Sequence, residues 1–389
     1  MNNKIRFTFK FYLLTCTLLM SLLIFQGCSH DEIQTTSLKF DRRFVAAEAF
    51  ESVAVLDVDR DGTLDLLSGS FWYKGPDFIS RKFIGTIPRH SEYYDDFSAI
   101  VMDVNGDQLP DVVTGGWFGA TLFWRENPGK DGEWKHHVIS QPGNIEATRA
   151  WDIDGNGTFE LVPNTPGKPL RIYRLSNNAQ FDSIQIAPMH GHGLGFGDIN
   201  GDGRGDFVVE NGWIEAPENP FTETWTFHEE FKFALVSVPL IVADVNGDKL
   251  SDIIIGQGHD YGLHWLEQVR SNDGTRAWKQ HEIDPHNSQY HTMEWTDLDQ
   301  DGQPELITGK RYRAHDDNDP GAHDPLGLYY FRWNGSSFVK QVISYGPPGE
   351  GKGTGLNFQV VDLNGDDWKD IAVAGKDGLC VFFNRGPGK

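Results

Sequence analysis

Two histidines lie immediately upstream of an acid-rich loop in the stretch HGHGLGFGDINGDGRGD, residues 190–206. The loop half has the oxygen-rich spacing of a calcium site, and calcium prefers oxygen ligands to imidazole. His190 and His192 therefore indicate a second chemistry beside the loop. Imidazole ligates zinc-like metals and also acts as a general acid or base.

The acid-rich loop recurs along the chain at intervals of roughly 50 residues, which is typical of a repeat architecture. Each copy is accompanied by four β-rich runs, the content of one propeller blade. The seven copies are DVDRDGTLD from residue 57, DVNGDQLPD from 103, DIDGNGTFE from 152, DINGDGRGD from 198, DVNGDKLSD from 244, DLDQDGQPE from 297 and DLNGDDWKD from 362.

The seventh copy lacks its fourth strand-like run, and a matching run precedes the first copy. This segment, KFDRRFVA at residues 39–46, is similar to the fourth runs KHHVIS and KQHEID. Pairing it with the last blade would close the ring and remove open sheet edges. The sequence predicts an all-β fold, a seven-bladed β-propeller over residues 39–389 with four-stranded blades and a ring closed by the N-terminal strand.

The seven loops and their flanking strands resemble FG-GAP or VCBS repeats, whose blades carry such a loop between the first and second strands. The resemblance covers residues 39–386 and implies the same propeller fold.

The loops themselves are predicted to bind structural calcium, because they offer oxygen ligands at positions 1, 3 and 5 and an acid at position 9. The alternative is a hydrogen-bonded turn without metal. Loops 2, 5 and 7 have Gln108, Lys249 and Asp367 at position 6, where glycine eases the turn. The candidate ligands are Asp57, Asp59, Asp61 and Asp65 in loop 1, Asp198, Asn200, Asp202 and Asp206 in loop 4, and Asp297, Asp299, Asp301 and Glu305 in loop 6.

A ring of equivalent residues is expected on the face opposite the loops. The residue six positions before the first Asp of each copy is, in order, Glu51, Phe97, Glu146, His192, Val238, His291 and Leu356. Because these positions are equivalent, they should meet at the mouth of the central channel. His192, His291, His190 and Glu146 are the predicted catalytic residues, either around a zinc-like divalent metal or as a metal-free acid–base set.

The same face collects candidate substrate-binding residues. Copy 6 carries a long insertion at residues 309–325, and such an insertion on a regular repeat is usually a binding loop. Tryptophans could stack on sugar faces, although each is more often part of the core. The candidates are Lys310, Arg311, Arg313 and His315 of the insertion, with His259, Tyr93, Trp117 and Trp213 from other turns.

The HGHG stretch and the run ITGKRYRAH are also similar to the propeller part of aldos-2-ulose dehydratase-like proteins. That resemblance implies metal-assisted elimination of water from keto-sugars. The leading hypothesis is a carbohydrate lyase or dehydratase that acts by β-elimination on a keto-sugar or a uronate-containing glycan. The alternative is a non-catalytic cell-surface glycan-binding protein, because fold alone does not decide function.

The N-terminus predicts export and anchoring. A basic start and an apolar run end at Gly27–Cys28, which resembles a bacterial lipoprotein signal with an acylated cysteine. We therefore expect a signal at residues 1–28, a tether at residues 29–38, and an outer-membrane lipoprotein on the cell-surface or periplasmic side that contacts the membrane through its lipid only. The net charge of −22 argues against a nucleic-acid partner.

Overall fold

Seven four-stranded antiparallel sheets form the ring of a β-propeller in the computed structural model, which describes residues 37–388. The predicted fold class and blade number are confirmed. The predicted signal, Cys28 and residues 29–36 of the tether lie outside the described residues. Two short 3-10 helices, Asn177–Ala179 and Ala314–Asp317, are the helical segments of residues 37–388, and neither is long or apolar enough to cross a membrane.

The strands follow the repeat, and each blade takes four of them. Strand β1 is Leu38–Ala46; blade 1 contains β2 Ala54–Leu56, β3 Asp65–Ser68, β4 Phe71–Tyr73 and β5 Arg81–Phe83; a hairpin of β6 Arg89–His90 and β7 Tyr93–Tyr94 follows; blade 2 contains β8 Ile100–Met102, β9 Asp111–Gly115, β10 Leu122–Glu126 and β11 Lys135–Ser140; blade 3 contains β12 Ala147–Trp151, β13 Glu160–Asn164, β14 Leu170–Leu175 and β15 Phe181–Ala187. Blade 4 contains β16 Leu194–Gly197, β17 Asp206–Val209, β18 Gly212–Glu215 and β19 Thr226–Glu229; blade 5 contains β20 Ile241–Ala243, β21 Asp252–Gly256, β22 Tyr261–Arg270 and β23 Arg276–Ser288; blade 6 contains β24 Tyr290–Thr296, β25 Glu305–Lys310, β26 Leu326–Trp333 and β27 Phe338–Gly346; blade 7 contains β28 Phe358–Val361, β29 Asp370–Val373 and β30 Leu379–Pro387.

The N-terminal strand closes the ring, as predicted. Strand β1 pairs antiparallel with β30, from Leu38 opposite Pro387 to Ala46 opposite Leu379. The last blade therefore has the order β28-β29-β30-β1, with its outer strand supplied by the other end of the chain. This pairing leaves the blade without an unfinished edge.

Side chains are most deeply buried in the second strand of each blade and become more exposed toward the outer strand. Strands β9 and β21 are buried at every position, because both faces of the sheet pack against neighbouring blades. Outer strands such as β11 alternate between half-buried and exposed positions. The first strands of neighbouring blades contact one another around the central channel, so residues at their ends face a shared space.

The acid at position 9 of each loop stabilises its blade by accepting hydrogen bonds from backbone N–H groups of the same blade. In blade 5, Asp252 is fully buried, and its two oxygens accept hydrogen bonds from the backbone N–H groups of Val245 (3.2 Å) and Gln268 (2.8 Å). Burial raises the pKa of Asp252 to about 6. The equivalent acids that accept the same pair of backbone bonds are Asp65, Asp111, Asp206 and Asp370.

Carboxylates converge in three of the loops, and in loops 3 and 6 the converging set includes the acid at position 9. Ligand oxygens lie within 4.8 Å of one another in the sets Asp57–Asp59–Asp61, Asp152–Asp154–Glu160 and Asp297–Asp299–Glu305. Each set also meets a basic side chain from the same blade: Lys74, Arg174 or Arg332, respectively. In loop 4, Arg204 pairs with Asp202. These ion pairs offset part of the carboxylate charge, and calcium in the loops stays a prediction.

Removing the loop acid should destabilise the fold. Asp252→Ala leaves two buried N–H groups without an acceptor, and each unsatisfied group costs about 1–3 kcal/mol. We expect denaturant unfolding to show a loss of roughly 2–5 kcal/mol. Asp131→Ala is the control, since this exposed residue makes only a surface ion pair with Lys82 and should change stability by less than about 1 kcal/mol. Equal stability of the two variants would contradict the fastening role.

Candidate functional site

Four buried side chains converge at one mouth of the channel. Glu146, His192 and His291 each lie just before or at the start of a first strand, and His259 lies in the turn after β21. One ligand atom of each lies within 4.8 Å of the others, and none of the four is more than 7% exposed. We call these four residues the His–Glu cluster.

The three imidazole rings stand at right angles to one another. Ring centroids are 4.9 Å apart for His192 and His259, and 5.3 Å apart for the other two pairs. The interplanar angles are 84–89°. The rings therefore present their edges to one point, as ligands of a single ion do, rather than packing face to face.

Hydrogen bonds fix which ring nitrogen carries a proton in two of these rings. Nδ1 of His192 lies 2.7 Å from the carbonyl oxygen of Val236, and Nδ1 of His259 lies 2.9 Å from a carboxylate oxygen of Asp319. Both partners can only accept, so each Nδ1 carries the proton. When the rings are neutral, each Nε2 therefore carries a lone pair and no proton. The two Nε2 atoms face each other at 3.2 Å, which is repulsive unless a proton or a cation lies between them.

Glu146 joins the remaining histidine to this pair. Its Oε1 lies 2.9 Å from Nε2 of His291 and 3.5 Å from Nε2 of His192. Burial alone would raise the pKa of Glu146, but His192 and His291 hold it well below its usual range. Burial lowers the pKa of His291, whose Nδ1 is buried without a hydrogen-bond partner. Glycine at 258 keeps the rings close, since a Cβ there would lie 3.3 Å from Cδ2 of His291.

A buried arginine holds the carboxylates of the site. Arg311 is 2% exposed and forms a fork with both oxygens of Glu51, at 3.1 Å each. Its Nη1 lies 3.4 Å from Oε1 of Glu146. The fork is the bidentate geometry that guanidinium favours. Arg311 was predicted to bind substrate, whereas here its charge is directed at the protein's own carboxylates.

The insertion in blade 6 covers the cluster from the solvent side. Asp319 bridges His259 and His315 with its two oxygens, at 2.9 Å and 2.8 Å, and the two rings stack at a centroid distance of 4.3 Å. The hydrogen bond to Asp319 raises the pKa of His315, whose side chain is 57% exposed. The backbone of Arg313, His315 and Asp317 is left-handed, a strained conformation for non-glycine residues that the surrounding contacts must maintain.

Two other predicted residues are held by the protein itself. His190 accepts a hydrogen bond from the backbone N–H of Thr165 and donates one to the carbonyl of Lys168, so both ring nitrogens are occupied. Burial lowers the pKa of His190 to about 4. Lys310 is 1% exposed, and its three bonds go to Ser288, Gln289 and Gly321. The structure does not bring His190 into the His–Glu cluster.

The remaining candidates lie at varied depths. Arg313 is half-exposed and pairs with Glu92 and Asp317. Tyr93 and the half-buried Trp117 pack together with Phe97 and Leu356.

Trp213 lies in a packed core cluster. His228 stacks on its ring at 4.2 Å, and the guanidinium of Arg276 lies over the ring at 4.6 Å. This ring is therefore covered and does not face the channel mouth as a sugar-stacking surface.

Asp319 was missed by the sequence reasoning, and His259 was assigned to substrate rather than to the cluster. The available signal for Asp319 was its place in the acidic run HDDND, directly after a histidine in the insertion. Repeat register could not reveal it, because the insertion has no counterpart in the other blades.

The buried fork should be structural. Arg311→Met leaves Glu51 buried without a counter-charge, and breaking such a pair costs about 3–5 kcal/mol. Arg313→Met is the control in the same insertion; its exposed pairs should contribute less than about 1 kcal/mol each. Both values come from denaturant unfolding. If the Arg311 variant is as stable as the Arg313 variant, the fork does not hold the site.

The chain is similar to one repeat family and to known structures. The family model described as the FG-GAP-like repeat matches residues 103–162 and 244–308. No curated protein sequence matches the chain. A crystal structure of BBS1N in complex with ARL6DN, soaked with mercury, aligns with a TM-score of 0.50 and 13% identity over 89% of this chain and 96% of that chain. The same complex soaked with lead aligns with a TM-score of 0.47, with the same identity and coverage.

At 13% identity, the alignment with a TM-score of 0.50 shows the fold alone. The two repeat matches begin at the first Asp of loops 2 and 5 and extend into the following blades. They agree with the seven blades of the structure. The chain is thus a seven-bladed β-propeller, of which residues 103–162 and 244–308 match the FG-GAP-like repeat.

Proposed function

We propose that the His–Glu cluster is a divalent-metal centre of the zinc-like kind. We propose further that it serves a carbon–oxygen lyase or dehydratase that acts on a carbohydrate by β-elimination. The observation that carries the proposal is the 3.2 Å approach of two imidazole Nε2 lone pairs, those of His192 and His259, whose Nδ1 protons are both committed elsewhere. A cation between them converts this repulsion into coordination.

The donor set suits such an ion. Three imidazoles and a carboxylate are ligands typical of zinc, with metal–ligand distances of about 2.0–2.2 Å. Two tetrahedral ligands at that distance lie about 3.4 Å apart. The separations are 3.2 Å for His192 and His259, and 2.9 Å and 3.5 Å from Glu146 to His291 and His192, respectively. The contacts of His192 with Val236 and of His259 with Asp319 are the outer bonds by which proteins orient metal-ligating histidines.

Charge also favours a divalent ion. Glu51, Glu146 and Asp319 bring three negative charges into a largely buried region, and Arg311 offsets one of them. With neutral histidines, a doubly charged cation balances the charge of these four groups, before the nearby Lys310 and Lys376 are counted. Buried charge without compensation is expensive, so this balance supports the assignment.

The exposed His315, held by the largely buried Asp319, supplies the acid–base function. The carboxylate orients His315 through Nδ1, which leaves Nε2 to accept a proton from the carbon next to a substrate carbonyl. The electron pair of that C–H bond forms the C=C bond, the C–O bond on the next carbon breaks, and the leaving oxygen takes up the proton that His315 accepted and departs as water or an alcohol. A divalent ion held by the four side chains of the His–Glu cluster would stabilise the negative charge that develops on the carbonyl oxygen by accepting that oxygen as a fifth ligand. No oxidant is needed.

A keto-sugar fits this site better than a uronate. Lys310 and Arg311 direct their charges at internal acceptors, and Arg313 is paired with two carboxylates. A substrate carboxylate would therefore have to displace an existing ion pair, whereas a neutral carbonyl would not.

A non-catalytic glycan-binding protein is the second candidate, and one observation favours it. Phe118 is 44% exposed and stacks on His90 at 4.8 Å, with Tyr93 at 5.6 Å. An exposed aromatic group of this kind can hold a sugar face without turnover. In either case, an acylated Cys28 would hold the protein at the outer membrane, and this part of the proposal rests on the sequence alone.

Metal binding tests the first half of the proposal. Metal-free protein titrated calorimetrically with Zn²⁺ should show one tight site, and His192→Ala and His259→Ala should each weaken binding by more than about 100-fold. His228→Ala is the matched control, a histidine bound to Glu215 and stacked on Trp213 outside the cluster. Tight binding that survives loss of His192 or His259 would show that the metal lies elsewhere.

Turnover tests the second half. The zinc-loaded protein is incubated with anhydrofructose and with a uronate-containing glycan, and the unsaturated product is followed by ultraviolet absorbance. We expect product from the keto-sugar, and loss of it in His315→Gln with zinc affinity retained. Absence of product from both substrates, with a glycan retained on the protein, would favour the non-catalytic alternative.

A further inference from the structure

A second polar ring crosses the channel three residues further along each repeat. The residues three positions before the first Asp of each loop are Ala54, Ile100, Arg149, Gly195, Ile241, Glu294 and Gln359. Three of them are polar. Arg149, Glu294 and Gln359 all line a cavity of about 1080 Å³ that receives residues from every blade. None of the four residues of the His–Glu cluster lines this cavity.

The side chain of Arg149 crosses the channel and separates its two halves. Its Nη2 donates to the hydroxyl of Thr292 at 3.0 Å and to the carbonyls of Leu356, at 3.2 Å, and Val238. These partners belong to blades 5, 6 and 7 or to the segments that enter them, whereas Arg149 belongs to blade 3. The guanidinium thus spans the channel next to the ring that contains His192 and His291.

Two polar groups that face this cavity, the Nε of Arg149 and the carboxylate of Glu294, lack a direct partner among the described residues. Arg149 is 9% exposed, and its Nε has no hydrogen-bond partner. The carboxylate of Glu294 makes no ion pair or hydrogen bond with any of residues 37–388, and the positive charge of Arg149 partly offsets the effect of burial on its pKa. Burial raises the pKa of Glu294 and lowers the pKa of Arg149 to about 10. A donor and an acceptor therefore face one cavity from blades 3 and 6.

Aromatic and amide groups complete the lining. Trp151 and Trp295 are half-buried at the ends of β12 and β24, and Trp151 stacks on Phe196 at 5.6 Å. Gln359 donates to Asn357 at 3.0 Å, which leaves its own carbonyl oxygen free to accept. Apolar ring surface together with a few placed donors and acceptors is the composition of a small-molecule site.

We infer that this loop-face half of the channel is a second binding site, separate from the His–Glu cluster, for a neutral sugar unit. Vicinal hydroxyls both donate and accept, so one ring can bridge Arg149 and Glu294, while its C–H face lies on a tryptophan. An anionic ligand would meet Glu294, and a cationic ligand would meet Arg149. The site does not depend on the proposed metal or on turnover.

The test is a set of ligand titrations followed by tryptophan fluorescence and saturation-transfer NMR. D-Glucose, D-galactose and D-mannose are the neutral probes; D-glucuronate, D-glucosamine and glycine are the charged ones. We expect at least one neutral probe to bind, and Glu294→Ala and Gln359→Ala each to weaken that binding about tenfold or more. The controls are Glu282→Ala and Gln341→Ala, both on outer strands.

Independent readouts separate this site from the cluster. Zinc affinity should be unchanged in Glu294→Ala, and sugar binding should be unchanged in His192→Ala. Retained zinc affinity also shows that the Glu294 variant is folded. The inference is overturned if no neutral probe binds, if glycine binds in preference to the sugars, or if Glu294→Ala and Gln359→Ala bind as the wild type does.

Discussion

Closure of seven equivalent blades into a ring forces the segments that enter the first strands toward one axis. Each blade is a small sheet that cannot bury both faces alone, so neighbouring blades and the β1–β30 pairing are needed to complete the core. The consequence for the site is geometric. Residues far apart in sequence, such as Glu146 and His291, come within 2.9 Å because they occupy the same place in different repeats.

Electrostatics then determines what this convergence can do. The low-dielectric mouth of the channel gathers carboxylates and imidazoles whose protons are committed to Val236 and Asp319, and the fork between Arg311 and Glu51 compensates only part of the charge. The protein's own groups leave two imidazole lone pairs facing each other and part of the negative charge uncompensated. A cation bound at one point would resolve both, and these facing lone pairs, rather than the presence of histidines alone, support the proposed metal centre.

The repeat made much of this predictable from sequence. Loop spacing predicts the blades, the missing fourth strand predicts the closure, and counting back from each loop selects Glu146, His192 and His291. The departures come from parts of the chain that are not repeated. The insertion places Asp319 against His259 and leaves His315 exposed. No other blade has such an insertion, so its conformation could not be predicted from the repeat. The buried partners of Arg311 and Lys310 were hidden for a similar reason, since a basic residue in a loop looks available until its internal acceptors are known.

The most direct test of the central claim is X-ray absorption at the zinc edge on protein loaded with one equivalent of Zn²⁺. Zinc bound in the His–Glu cluster should have four light-atom ligands at about 2.0–2.1 Å, with the outer-shell scattering of three imidazoles. In His259→Ala the imidazole count should fall to two or the ion should be lost. A first shell made only of oxygen ligands, without imidazole scattering, would place zinc in the acid-rich loops and contradict the account.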